Sequence, residues 1–562
     1  MCGILGVISI KSVKKYKEKF ENGLEIMRHR GYDHNTYKMS DNYIMGYTRL
    51  AIQGNESCNQ PILLDNGFAF GNGENYEQIT PNKNDLYDIA VECQKFNEDV
   101  YKNYDAEFAV SVFDEQKNTF YLTRDRFGLK PLFYSWLDKD TFVYSSEVKS
   151  LLPFIDKVEQ NPDAIMDYLL MGYPTSNKTI FKNIYSFPQK STFKWDLTNN
   201  KKDIVTYNFN VKKYSEKSED LLNCFVRSLK NRTIGTRVIA THLSGGLDST
   251  LVNYGLKKYA QDLEFEAYTA YLDESDDDLK IAKTISKDLK NGQNIVKIKE
   301  NKNYEKLTRI LDSPIMSTGA FVPYYIAKQA EKNKIKILIA GQGSDEIFLG
   351  YSRFKNLPNE FNYDKFVDIL INSNPKLMKI LFKNFNMKNN SSDEKYSLIN
   401  LQQFYVNNFM HELLKIEDHV NMNFEIENRT PFLSKEMERF AEESVYYGEE
   451  HKKQICELHN LFNTKVPLER KKSNLNSPLK REIQNNLKYA ENFINEKPII
   501  GFNYGEFNKI LNNLDTLEKS DLYLIWFTIN YQIWREVFGI KEQVELNWEN
   551  WGVKSERVFK FE

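Results

Sequence analysis

No run of apolar residues in this chain approaches the ~20 needed to cross a bilayer, so no helical membrane anchor is expected. Net charge is nearly absent as well. The 76 basic and 78 acidic side chains leave −2 at pH 7, which gives no electrostatic footprint for nucleic acid or for an acidic membrane surface. Cysteine is scarce: Cys2, Cys58, Cys93, Cys224 and Cys456 are odd in number, scattered and without a C-x-x-C pair. That excludes a disulfide framework and a zinc ribbon, and fits a reducing cytoplasm. The opening does not read as a secretory signal, because Lys11, Lys14 and Lys15 follow the apolar run from Ile4 to Ile10 too closely. Internal repeats and long low-complexity tracts are missing too.

What is present is an ordinary globular composition, 41% hydrophobic and 27% charged over 562 residues, enough for two or more cored domains. One stretch organises the rest. Ser244-Gly245-Gly246-Leu247-Asp248-Ser249 lies between the β-branched run Val238 to Leu243 and a segment with Leu251, Val252 and Leu256 at near-helical spacing. Strand, glycine turn and helix in that order present backbone N–H groups and a helix N-terminus to an anion. A Walker loop would carry a lysine for transfer of the terminal phosphate, and none is here. Asp248 stands inside the loop instead, where a carboxylate beside phosphates suits Mg²⁺.

This hexapeptide resembles the pyrophosphate-binding loop of the ATP pyrophosphatases, in the Leu-Asp version of the glutamine-dependent asparagine synthetases. The resemblance implies that ATP is split to AMP and pyrophosphate to activate a carboxylate. The other end of the chain agrees. Met1-Cys2-Gly3-Ile4-Leu5-Gly6-Val7 resembles the opening of the class II glutamine amidotransferases, in which Cys2, once Met1 is removed, carries thiol and α-amine together, so that the amine activates the thiol. Arg28-His29-Arg30-Gly31-Tyr32-Asp33 follows in the family's order with Tyr32 where proline is usual, and so do Arg49-Leu50-Ala51-Ile52, Gln60-Pro61, Asn72-Gly73-Glu74-Asn75-Tyr76 and Asp105-Ala106-Glu107. The resemblance implies glutamine contacts from Arg49, Ile52, Asn72, Glu74 and Asp105. Arg49 would clamp the α-carboxylate, Glu74 and Asp105 would meet the α-ammonium, and the Asn72 amide with the Gly73 N–H would form the oxyanion hole.

In the second half, helical periodicity alternates with short β-branched runs, as in doubly wound α/β folds. The resemblance implies ATP contacts from Leu243, Ser244, Gly245, Gly246, Asp248 and Ser249, from Ala270 in the strand near Phe265 to Leu272, and from Ala340 and Gly341 after the strand-like run from Ile335. Mg²⁺ is expected on Asp248 and Asp312, the latter in Leu311-Asp312-Ser313-Pro314, with Asp278 a secondary candidate. Lys472 and Arg470, in Glu469-Arg470-Lys471-Lys472, match the family's Arg-x-Lys that steadies the adenylate. Gln342 stands where many asparagine synthetases have glutamate, and an amide cannot serve as a general base.

The expected fold is therefore α/β overall: an N-terminal Ntn-hydrolase αββα sandwich over residues 1–195, a polar linker over 196–215, and a doubly wound α/β ATP-pyrophosphatase domain with extra helices over 216–562. The expected ligands are glutamine, aspartate, ATP and Mg²⁺, in the cytoplasm, without nucleic acid or membrane and with a homodimer among the options. Rival readings are amidation of another carboxylate, supported by Gln342, an ATP-dependent cyclase, and a non-catalytic sensor of glutamine or ATP. Beyond about residue 480 the family likeness fades, and the aromatic helix-like run from Tyr523 to Trp534 reads as packing.

Overall fold

The computed structural model describes residues 2–53, 58–77, 80, 83–207, 221–235, 237–299, 302–351, 378, 380–381, 398–446, 452–468 and 478–546. The first unit is built on strands β1 (Cys2–Ser9), β2 (His34–Met39), β3 (Tyr43–Arg49), β4 (Ile62–Leu64), β5 (Gly67–Asn75), β6 (Ala106–Asp114), β7 (Thr119–Arg124), β8 (Phe133–Asp138), β9 (Thr141–Ser145), β10 (Tyr185–Ser186), β11 (Ser191–Asp196) and β12 (Lys201–Thr206). They form two antiparallel sheets, in the orders β10-β8-β9-β1-β3-β2 and β12-β11-β7-β6-β5-β4. Alternation along β1 explains how the sheets stack. Ile4 and Ile8 join Tyr47, Phe70, Phe113, Phe193 and Trp195 in the layer between the sheets, while Leu5 and Val7 face outward onto Phe20 and Leu24 of the helix Lys17–Ile26 and Met27 just beyond it. The outer face of the second sheet is covered by the helix Tyr87–Cys93 through Ile89, Ala90 and Cys93. The result is the αββα sandwich. Cys2 falls on the same side of β1 as Ile4, packed against the inter-sheet layer.

The polar run from Asp196 to Asp203 is not a linker. It holds the β11–β12 turn and half of β12, whose residues Lys201 to Thr206 pair with Asp196 to Ser191. The first sheet system thus runs past residue 195 to Thr206. Its polarity reflects an edge hairpin, with Lys201 exposed and the next five residues half-buried.

The second unit centres on a parallel sheet of β13 (Ile239–His242), β14 (Glu266–Tyr271), β15 (Gln293–Lys297), β16 (Ile337–Ile339) and β17 (Glu427–Arg429), ordered β15-β14-β13-β16-β17. Helices cover both faces, as the continuous apolar strands require. Ala240, Tyr268 and Leu338 share one core with the helix Phe321–Lys332, and Ile239, Ala267, Ile337 and Ile339 share another with the helices Leu247–Tyr259 and Asp277–Leu289. The chain leaves β13 towards β14 and later returns on its other side at β16. That reversal is the topological switch point, where a ligand crevice opens at the carboxyl ends of the strands.

Beyond residue 480 the chain is helical, and its last long helix, Lys519–Val537, is a packing element as the aromatic run suggested. Trp526 and Trp534 are fully buried. Phe527 meets Tyr168 of the first unit at 5.3 Å between ring centres, and Trp534 meets Phe181 at 5.0 Å. Among the described residues no helix is long and apolar enough to cross a membrane.

Candidate active sites

At the mouth of the sandwich, β1 begins opposite the end of β3, with Cys2 paired to Arg49. The Cys2 backbone nitrogen donates to the Asn72 Oδ1 at 2.9 Å. That bond fixes the amide's orientation: Asn72 is fully buried and its Nδ2 donor has no partner. An unmet buried donor costs on the order of 1–3 kcal/mol, and a developing oxyanion next to the thiol is the kind of acceptor it would satisfy. Gly73 follows on β5, opposite Phe108 of β6. Burial pushes the Cys2 thiol up. The Arg49 guanidinium, nearly buried, donates to Asn59 Oδ1 at 2.6 Å and to the Gln53 carbonyl at 3.0 Å, which aims a planar fork at this mouth. Ile52 packs its side chain into a core shared with the second unit.

The two carboxylates expected at an α-ammonium have partners from the second unit. Glu74 accepts from Gln53 Nε2 at 2.5 Å and lies 3.8 Å from an Arg429 nitrogen. Burial, together with Glu427 and Asp85 nearby, pushes its carboxyl well up. Asp105 is gripped by both terminal nitrogens of Arg232, with Asn231 at 3.4 Å. Burial opposes its ionisation, but the Arg232 guanidinium holds it below the usual carboxylate range. Arg232 also lies over the Tyr76 ring, 4.2 Å from its centre. Asp105 is therefore a link between the units in this structure rather than a carboxylate open to an amine.

The second site sits at the switch point. Leu243, Ala270 and Ala340 come at or just beyond the carboxyl ends of the adjacent strands β13, β14 and β16. The turn after β13 is held internally: Ser244 N–H donates to Ser249 Oγ at 3.1 Å, Gly246 N–H to Ser244 Oγ at 3.2 Å, and Thr250 Oγ1 to the Gly246 carbonyl at 2.6 Å. Gly245 is obligatory there, with φ +82° and the Asp278 carbonyl oxygen 2.4 Å from where a Cβ would stand. Asp278 itself opens the helix Asp277–Leu289 and lies against this loop through its backbone. Gly341 is equally constrained, since a Cβ would come within 2.8 Å of the Asp248–Ser249 backbone. The two glycine turns touch, as one nucleotide site requires.

The two carboxylates expected on Mg²⁺ meet different partners in the structure. Asp248 is brought together with Asp345, not with Asp312. Lys452 Nζ lies 2.8 Å from Asp248 and 2.7 Å from Asp345, so the two carboxylates share one cation. Burial alone would lower the Lys452 ammonium, but Asp248 and Asp345 hold it above its usual value. Asp312 closes the helix Tyr304–Leu311 in the left-handed conformation, and its carboxylate turns to the first unit. It accepts from the Lys149 N–H at 3.0 Å and from Lys149 Nζ at 3.3 Å, beside a cavity also lined by Phe133, Thr179, His411 and Lys415. Lys472 and Arg470 lie outside the described residues. Gln342 is partly exposed beside Gly341.

Asp345 was available to sequence reasoning inside Gly341-Gln342-Gly343-Ser344-Asp345-Glu346. Lys452 and Arg232 had no signal, because each acts on a residue more than 90 positions away; Arg429 stands in a motif-like run, Glu427-Asn428-Arg429-Thr430-Pro431, that gives no hint of its approach to Glu74.

Comparison with known proteins matches both halves of the chain. Residues 1–208 match the profile of a glutamine amidotransferase domain, and residues 220–497 that of asparagine synthase. A Methanocaldococcus jannaschii relative is 27% identical over 480 residues, covering 78% of this chain and 80% of its own. Asparagine synthetase 2 (glutamine-hydrolyzing) of Bacillus subtilis strain 168 is 25% identical over 500 residues, covering 77% of this chain and 65% of its own. Asparagine synthetase B (glutamine-hydrolyzing) of Escherichia coli K12 is 26% identical over 392 residues, covering 64% and 66%.

Proposed function

The chain belongs to the asparagine synthase family of glutamine-hydrolysing carbon–nitrogen ligases, and from that premise we propose that it moves the amide nitrogen of glutamine onto the side-chain carboxylate of aspartate, driven by cleavage of ATP to AMP and pyrophosphate. The observation that carries the glutaminase half is the Cys2–Asn72 pair, with its orphaned amide donor beside the thiol. The Cys2 sulfur attacks the amide carbon of glutamine, its own α-amine taking the thiol proton. Asn72 Nδ2 and the Gly73 N–H receive the oxyanion; its collapse breaks the C–N bond, the Cys2 α-ammonium protonates the leaving nitrogen and ammonia departs, leaving an acyl-thioester that water hydrolyses to glutamate and the free thiol. Arg49 takes the α-carboxylate. Glu74 takes the α-ammonium, while Asp105, held by Arg232, braces the wall behind it.

In the second unit, Ser244, Gly245, Gly246 and Ser249 cradle the departing pyrophosphate at the N-terminus of the helix Leu247–Tyr259. Leu243, Ala270, Ala340 and Gly341 line the nucleoside side. The donor set fits Mg²⁺: two carboxylates already close around a single cation at 2.7–2.8 Å. Asp248 and Asp345 would hold it, and it would neutralise phosphate oxygens as pyrophosphate leaves. Aspartate's carboxylate attacks the α-phosphorus, and ammonia displaces AMP from the acyl-adenylate.

Gln342 supports a second reading, in which the same machinery amidates a different carboxylate. The deciding measurement is ATP-dependent pyrophosphate release with Mg²⁺ and glutamine or ammonium, with and without aspartate, and with asparagine sought by mass. Aspartate-dependent release with asparagine formed establishes the first reading. Glutamine hydrolysis without aspartate-dependent release sinks it in favour of the second.

A further inference from the structure

Cys2 is held at two points. Its nitrogen is bonded to Asn72, and its carbonyl oxygen accepts from Arg30 Nε at 3.1 Å. Arg30 is fully buried and spends its remaining donors on acids: NH1 and NH2 grip Asp418 at 2.8 and 3.1 Å, and NH1 reaches Glu147 at 3.0 Å. Asp418 belongs to the second unit, on the helix Phe409–Met422, and is 4% exposed. Glu147 is already shared with His29 at 3.0 Å and Lys149 at 2.6 Å, so it cannot by itself fix the plane of the guanidinium. The bidentate contact from Asp418 does that.

We propose that Asp418 of the second unit is a positioning residue for glutamine hydrolysis in the first: it orients Arg30, which in turn anchors the Cys2 carbonyl and so places the thiol. The glutaminase is then competent only with the second unit docked. This rests on Cys2 being the nucleophile, which Cys2→Ala tests separately: glutamine hydrolysis surviving in that variant would remove the premise and not the geometry.

The test compares glutamine hydrolysis by the full chain with Asp418→Asn, Asp418→Glu and Arg126→Gln. Arg126 forms a different buried ion pair across the same two units, with Glu438 at 2.7 Å, away from Cys2. Asp418→Asn is expected to lower kcat at least tenfold with glutamine KM within about twofold, and Asp418→Glu to recover most of the loss. Arg126→Gln is expected to lower the thermal midpoint and leave kcat unchanged. Unchanged kcat in folded Asp418→Asn overturns the proposal, and so does an equal kcat loss in Arg126→Gln. Should Asp418→Asn yield no folded protein, Arg30→Lys, which keeps the charge and removes the fork, carries the same expectation and the same refutation.

Discussion

At the scale of single residues, the Asn72 amide is asked to do one thing in the free protein and another in the reaction. Its oxygen fixes the Cys2 nitrogen, and its unpartnered Nδ2 waits for negative charge. Removing one such donor typically costs ~10²–10³-fold in kcat, so Asn72→Ala is expected to lower glutamine hydrolysis by that factor while ammonia-driven pyrophosphate release is retained. Equal loss of both would assign Asn72 a structural role only. A second residue-scale prediction concerns histidine. Burial pushes His242 and His459 down to about 4, and His411 and His419 well below their ordinary value. Above pH 6.5 these rings are neutral in both states; as pH falls from 6.5 towards 4 the unfolded chain takes up protons that the fold refuses, so stability falls with pH. At about 1.4 kcal/mol per unit, His459 contributes at most about 3 kcal/mol. Urea midpoints measured from pH 7.5 to 5 are expected to fall less steeply in His459→Asn than in the parent, and parallel profiles would refute it. Residue by residue, the groupings the motifs suggested are seen where they are compact: Cys2 meets Asn72, and Ser244 to Ser249 close one turn. The sequence did not anticipate that Asp312 closes a helix and turns to Lys149, and it was silent on Arg232 and Lys452, since an ion pair between distant positions leaves no periodic trace.

Elements were more legible than their partners. Strand-like alternation marks β6 and β7, and β-branched runs mark β13 and β16, so strands of the sandwich and of the parallel sheet could be anticipated. The edge strand β12 could not, because its polar, half-exposed residues look like a connector. Nor could the register that sets β16 beside β17, where the Ala340 N–H donates to the Arg429 carbonyl at 2.9 Å. That bond places the nucleotide turn one strand away from the arginine that faces Glu74. The fit between the two glycine turns is the part of this arrangement most exposed to test. Gly341→Ala would force a methyl group to within 2.8 Å of the Asp248–Ser249 backbone, which has nowhere to retreat while β13 and β16 stay paired. Pyrophosphate release is expected to fall by at least tenfold, with glutamine hydrolysis in the first unit unchanged. If release stays normal, the two turns do not form one site.

For the whole molecule, the decisive feature is that the two units share a core. Leu5 and Val7 of β1 belong to the same buried cluster as Trp526 and Trp534 of the last long helix. Around it run buried contacts that cross between the units: Arg30 to Asp418, Arg126 and Lys190 to Glu438, Arg232 to Asp105, and Tyr531 to Gln160. A charge isolated inside protein is costly, so parting the units would strand several at once. The family likeness, which fades before this helix, gives no hint that it serves the first unit. Trp534→Ala provides the check, because it empties a fully buried site against Phe181 of the first unit without touching either active site. A loss of ~3–5 kcal/mol is expected. If the core is shared, the urea midpoints for glutamine hydrolysis and for pyrophosphate release must move down together. A shift confined to pyrophosphate release would mean that the sandwich stands without the last helix, and that docking, however extensive, is not what holds the first unit in its active form.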